Sequence, residues 1–141
     1  MSDKRTAIVE TILTHPFWQA TKERRFLLQY DSQVDRYQFY PRPISLYSTM
    51  PLVWREAKGE GTLAAHTLCH TPAPGFAALT PYILGLVKLV EGPRVFARIV
   101  DATYDDLRIG QPMRLSWGEE FGDGREYLFV PADQPVSHSS T

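Results

Sequence analysis

Three groups of side chains in this 141-residue sequence are of types that can do chemistry. His66, Cys69 and His70 form His-x-x-Cys-His, which suggests metal ligation or a thiol nucleophile. On a strand, however, positions 66 and 70 share one face and 69 takes the other, so the trio is split. Cys69 then reads as a small buried hydrophobe and His70 as a strand-end hydrogen bonder or partner contact. Asp101, Asp105 and Asp106 offer paired carboxylates, but they sit where a short helix should begin, a place the helix dipole favours for acids. Ser45, Ser48 and Ser116 lack a Gly-x-Ser-x-Gly context, and there is no glycine-rich phosphate loop. The sequence therefore predicts no catalytic constellation.

Composition narrows the classes further. A single cysteine excludes an intrachain disulfide framework and a cysteine-based zinc site. Hydrophobic content of 43%, with 12% aromatic, belongs to a globular domain. There is no apolar run of about 18 residues, and Met-Ser-Asp-Lys-Arg at the start lacks an apolar signal core, so a soluble, cytoplasmic protein without membrane contact is expected. The net charge of −1 hides an asymmetry: residues 1–58 carry nine basic and six acidic side chains, and residues 59–141 six basic and ten acidic. An acidic larger half argues against a nucleic-acid binder.

The elements follow from periodicity and punctuation. Residues 5–26 read as helical with a break at His15-Pro16, because the residue before proline avoids the helical region. Thr14 would cap the second piece, with Pro16 in its first turn. Phe26–Tyr30 and Arg36–Tyr40 predict a hairpin stopped by Pro41-Arg42-Pro43, and Trp54 marks the return to regular structure after an irregular stretch. Gly61–His70, Tyr82–Val90, Arg94–Ile99, Met113–Trp117 and Arg125–Val130 predict five strands, with Tyr82–Val90 buried on both faces. A short helix at Thr103–Leu107 falls between the third and fourth of them, and Gly118–Gly124 reads as a turn. That order is the one found in an OB-fold, a partly open Greek-key barrel. The fold class is mainly β: a five-stranded OB-fold barrel behind an N-terminal helical segment and a hairpin.

Two rigid aromatic loops are candidate contacts for a partner, since proline-stiffened backbone loses little entropy on docking. One is Pro74-Gly75-Phe76, whose Phe76 could equally plug the barrel mouth; the other is Phe39-Tyr40-Pro41, followed by Arg42.

Several segments together resemble a known family: Pro16-Phe17-Trp18, Phe26–Gln29, Tyr37–Pro43, Trp54 with Gly59–Thr62, Thr67–His70 with Pro74–Phe76, Pro81–Leu84 and Leu107–Met113. In order and spacing the chain is similar to the acyl-CoA-associated OB-fold family with a rubredoxin-like zinc ribbon, known as domain of unknown function thirty-five. The resemblance covers roughly residues 14–132. It implies a helical segment at 1–26, a ribbon at 27–56, the OB-fold at 57–132 and a disordered tail at 133–141. The family's four ribbon cysteines fall at Asp31, Val34, Ser45 and Ser48, none of which is a cysteine. A structural zinc site needs four N or S ligands. The resemblance therefore implies a degenerate, metal-free ribbon-like hairpin, with Tyr30, Tyr37, Tyr40 and Tyr47 expected to replace the metal by apolar packing.

The same resemblance implies a non-catalytic partner subunit of a thiolase-type or related acyl-CoA or acyltransferase enzyme. Alternatives are a subunit beside a MaoC-like hydratase or an aldolase, and a single-stranded nucleic-acid module using Phe96 and Trp117. An independent enzyme or a carrier of a hydrophobic ligand is disfavoured, since five-stranded barrels fill with their own side chains. Arg24, Arg25 and Arg42, all on the basic half, would meet the phosphates of a CoA thioester in the complex. The chain by itself is expected to bind no cofactor and no zinc. Phe39, Tyr40, Pro41, His70, Pro74, Gly75 and Phe76 would face the partner.

Overall fold

The structure, a computed structural model, describes residues 13–70 and 81–132. The first helical stretch, the Pro74-Gly75-Phe76 loop and the tail from 133 lie outside the described residues. α1 (His15–Lys22) begins after Thr14 with Pro16 in its first turn, where the missing proline N–H has no intrahelical acceptor to lose. Thr14 holds the N-cap position without a side-chain cap bond. The helix buries Phe17, Ala20 and Thr21.

Next come β1 (Leu27–Asp31), β2 (Arg36–Gln38) and β3 (Val53–Glu56), an antiparallel three-stranded sheet in the order β2-β1-β3. β4 (Glu60–Cys69), β5 (Tyr82–Leu89), β6 (Arg94–Ile99), β7 (Pro112–Phe121) and β8 (Gly124–Pro131) close a barrel in the order β4-β5-β6-β8-β7. All barrel pairs are antiparallel except β6 with β8, joined in parallel at Arg98 opposite Leu128 and Ile99 opposite Phe129. A single 3-10 turn (Tyr104–Asp106) stands between the third and fourth barrel strands, where a helix was expected. This is the OB-fold read from the strand order.

Two local expectations are corrected. β5 is not buried on both faces: Ile83, Gly85, Val87 and Leu89 point inward, while the alternate residues are half-buried and Lys88 is exposed. A closed barrel offers each strand one inner face, so even a nearly continuous apolar run alternates. The turn expected over Gly118–Gly124 shrinks to Gly122-Asp123, because β7 continues to Phe121, paired with Gly124. Glu119 and Glu120 stay in the strand, and Glu120 accepts an ion-paired hydrogen bond from Arg125 across the hairpin at 2.9 Å.

The barrel interior is filled by Leu63, Val87, Leu89, Val95, Met113 and Phe129, each almost completely buried. An aromatic cluster joins α1 and the small sheet to this barrel. The Phe17 ring lies 4.8 to 6.0 Å, centre to centre, from Trp18, Phe26, Phe39, Tyr40 and Tyr127. Buried Thr21 locks the junction: its hydroxyl donates to the Trp18 carbonyl and accepts the Arg125 amide N–H at 3.0 Å. Gly124 permits the approach, since a Cβ there would lie 2.4 Å from Trp18 Cε3.

Candidate functional site

The two faces of the small sheet carry different chemistry. Register places Gln29 opposite Gln38 and Asp31 opposite Arg36, so these four share one face. Tyr30 and Tyr37 are opposite each other on the second face, ring centres 4.8 Å apart, with the Arg55 guanidinium 3.8 Å from the Tyr30 ring centre. The irregular segment 42–50 is held to the first face by polar side chains. The Gln38 amide donates to Gln29 Oε1 and to the Ile44 carbonyl, and its own oxygen accepts the Leu46 N–H. Gln29 grips the Arg42 backbone at both its N–H and its carbonyl. The hydroxyls of Ser45 and Ser48 both donate to one oxygen of the buried Asp31 carboxylate.

These contacts correct the expectation that tyrosines replace the ribbon metal by apolar packing. Tyr30 and Tyr37 lie on the opposite face from Asp31, and Tyr40 turns toward α1, where its hydroxyl accepts the Trp18 indole N–H at 2.8 Å. Only Tyr47, 5.4 Å from the Arg36 guanidinium, flanks the polar side. Three of the four ligand-equivalent positions meet through oxygen, and the fourth, Val34, is exposed.

The Ser45 and Ser48 hydroxyls, with the Gln33 and Val34 amides, hold the Asp31 carboxyl below the usual aspartate range. A depressed folded-state pKa contributes stability that is present above the unfolded value and is lost as pH falls through the folded one. Acid titration should therefore loosen segment 42–50 below about pH 4. Amide exchange or Tyr47 fluorescence would follow it. Asp31→Asn should remove that acid step; an unchanged acid limb in the variant would take Asp31 out of this role.

The candidate residues do not converge on one site. Phe39 is half-buried in the aromatic cluster and Pro41 is buried, leaving Tyr40 as the exposed member of that tip. Arg25 is committed to Glu56 and Glu23, at 3.2 and 3.3 Å, whereas Arg24 and Arg42 are exposed. His70 is exposed just past the end of β4. Cys69 is half-buried rather than fully buried, and His66 turns to Tyr104, ring centres 5.0 Å apart. Among the described residues no three His, Cys, Asp or Glu side chains are grouped to hold a metal. A cleft of about 350 Å³ between β2, Leu46, Tyr47 and the β5–β6 turn is lined by Asp35, Arg36 and Glu91 among others, acids outnumbering the one cation. Phe96 and Trp117, the candidate stacking pair, stand on β6 and β7 with β8 between them.

One feature escaped the sequence reading. Ile44, Leu46, Tyr47, Met50 and Val53 are all exposed, Ile44 at 73% and Leu46 at 56%. The signal was apolar residues in a stretch of neither helical nor strand period, which looked merely irregular.

Residues 54–118 match the family model of the ChsH2 C-terminal OB-fold domain. The chain is 31% identical over 118 residues to a probable enoyl-CoA hydratase alpha subunit of Thermomonospora curvata, an alignment covering 82% of this chain and 37% of that protein. It is 29% identical over 68 residues to a DUF35 domain-containing scaffold protein of Methanothermobacter thermautotrophicus, covering 48% and 51% of the two chains. The chain thus spans about a third to a half of these two relatives. Among solved structures, one chain of an Ltp2-ChsH2(DUF35) aldolase superposes with a TM-score of 0.77 at 28% identity, covering 90% of this chain and 98% of that one. A DUF35-family protein of unknown function from Sulfolobus solfataricus shares the fold, with a TM-score of 0.60 at 9% identity over 86% of each chain. No described helix is long and apolar enough to cross a membrane.

Proposed function

Since this chain belongs to the DUF35 family of OB-fold proteins, the family of the ChsH2 C-terminal domain, we propose that it is a non-catalytic accessory subunit of an acyl-CoA-processing enzyme. In this reading it braces a larger partner of the thiolase or aldolase type and helps shape its acyl site. The observation that carries the reading is the exposed apolar side chains of Ile44, Leu46, Tyr47 and Met50, displayed on a segment fastened from beneath by Gln29, Gln38 and Asp31. Exposed apolar groups on pre-ordered backbone suit protein association, because burying them gains hydrophobic free energy with little ordering cost. Tyr40 and His70 extend the candidate contact surface, and the exposed Arg24 and Arg42 suit the phosphates of a CoA thioester held mainly by the partner. The likeness to a hydratase alpha subunit favours a second reading, in which the partner is a hydratase.

Affinity capture of the tagged chain from its native host, with mass spectrometry of the eluate, tests this. An acyl-CoA enzyme of the thiolase, aldolase or hydratase kind is the expected companion; recovery of none would sink the proposal. The double variant Ile44→Asp/Leu46→Asp should bind that companion at least about 30-fold more weakly, the loss of a central apolar contact. Its melting temperature should stay within about 2 °C of the parent, because both side chains already face water.

A further inference from the structure

The ribbon's two turns meet at a point that reads as a fastening in its own right. Asp31 ends β1 and leads into the first turn; one of its carboxylate oxygens accepts the Gln33 N–H at 2.9 Å. Ser45 and Ser48 lie in the second turn, where the Ser45 oxygen accepts the Tyr47 and Ser48 amides at 2.9 and 3.2 Å and the Ser48 oxygen accepts the Met50 amide at 3.1 Å. Each of the three side chains thus closes its own turn. The other Asp31 oxygen then ties the turns together, accepting both serine hydroxyls at 2.5 and 2.6 Å across sequence separations of 14 and 17 residues.

The donor set does not suit zinc. It offers one carboxylate and two hydroxyls, with valine in the fourth place, against the four N or S ligands of a structural site. The oxygens are also occupied. The Ser45 hydroxyl donates its proton and accepts two amides, which uses its full hydrogen-bonding capacity. Nor does the cluster need a cation to balance its charge. Hydrogen bonds to a carboxylate are charge-assisted, and those to the buried Asp31 come from two hydroxyls and the backbone.

We propose that the hydrogen-bond cluster of Asp31, Ser45 and Ser48 takes the place of a metal ion as the fastening of the ribbon, so that segment 42–50 is ordered without zinc or any other cation. This holds whatever partner the chain has, and its test needs none. The purified full chain is analysed for metals by mass spectrometry, melted with and without EDTA and with added zinc, and followed by amide exchange at Tyr47, Ser48 and Met50. The expected results are less than stoichiometric metal, a melting temperature indifferent to EDTA and zinc, and slow exchange at the three amides. Asp31→Asn, close in size but uncharged, should speed that exchange roughly 10- to 100-fold. Ser45→Ala/Ser48→Ala should do the same, and provides the reading if the asparagine variant fails to fold. Stoichiometric zinc or another divalent ion whose removal lowers the melting temperature would overturn the proposal. So would unchanged exchange at these amides in a folded variant.

Discussion

Phe17→Ala is expected to destabilise the protein by about 3–5 kcal/mol, the range for truncating a buried phenylalanine without refilling its space. The side chain is fully buried and touches five other aromatic rings. Those rings come from α1, from the chain entering β1, from the end of the hairpin and from β8. Removing one ring therefore weakens three junctions at once, and edge-to-face pairs such as those with Trp18, Phe26 and Tyr127 add about 0.5–1.5 kcal/mol each beyond the area they bury. Against a typical total of about 5–15 kcal/mol, that is a large fraction. Thermal unfolding should show a drop on the order of 10–20 °C. Phe96→Ala, on barrel strand β6 and 57% exposed, should change stability by no more than about 0.5 kcal/mol. Equal effects from the two would refute the keystone role of Phe17.

Gly61→Ala should also be severe, for a different reason. At Gly61, β4 pairs on one side with β5, opposite Leu89, and on the other with β7, opposite Met113, so the residue sits at the barrel's closure. An added Cβ would lie 2.4 Å from the Lys88 carbonyl oxygen and 2.8 Å from Val87 Cγ1. The first obstacle is backbone already engaged in the sheet, which cannot swing aside as a side-chain tip would. One methyl group should then cost at least about 1–3 kcal/mol, the range for overpacking, and more if the closure opens. Denaturant melts would show the loss, with faster amide exchange at Leu63 and Leu89 beside the closure. A variant as stable as the parent would mean that β4 shifts freely, contrary to its double pairing.

Much of the barrel was legible in the sequence. Val95, Ala97 and Ile99 alternate with Arg94, Phe96 and Arg98 as a strand with one wet face must, and the inward set is the buried one. Pro16 stands in the first turn of α1 and Pro41 follows the hairpin, because a proline ring restricts the backbone in any context. The absence of ribbon cysteines was equally plain, since it is a statement about residue types. Each of these features depends on a residue and its near neighbours in the chain.

Tertiary structure decided the rest. Nothing local says that Asp31 will meet Ser45 and Ser48, because that contact depends on which face of β1 the segment 42–50 crosses. The tyrosines looked suited to replace the metal until the strand register placed Tyr30 and Tyr37 on the far side of the sheet. Tyr82–Val90 read as doubly buried because an apolar run does not disclose that its sheet will close and turn one face outward. The outward apolar side chains of Ile44, Leu46, Tyr47 and Met50 emerged for the same reason: the glutamines and the aspartate beneath hold the backbone, and that leaves those side chains to water. Sequence by itself determined the strands, their breaks and the loss of the ribbon cysteines. Only the pairing of distant segments determined which side chains face one another, and with that what fastens the ribbon and what it displays.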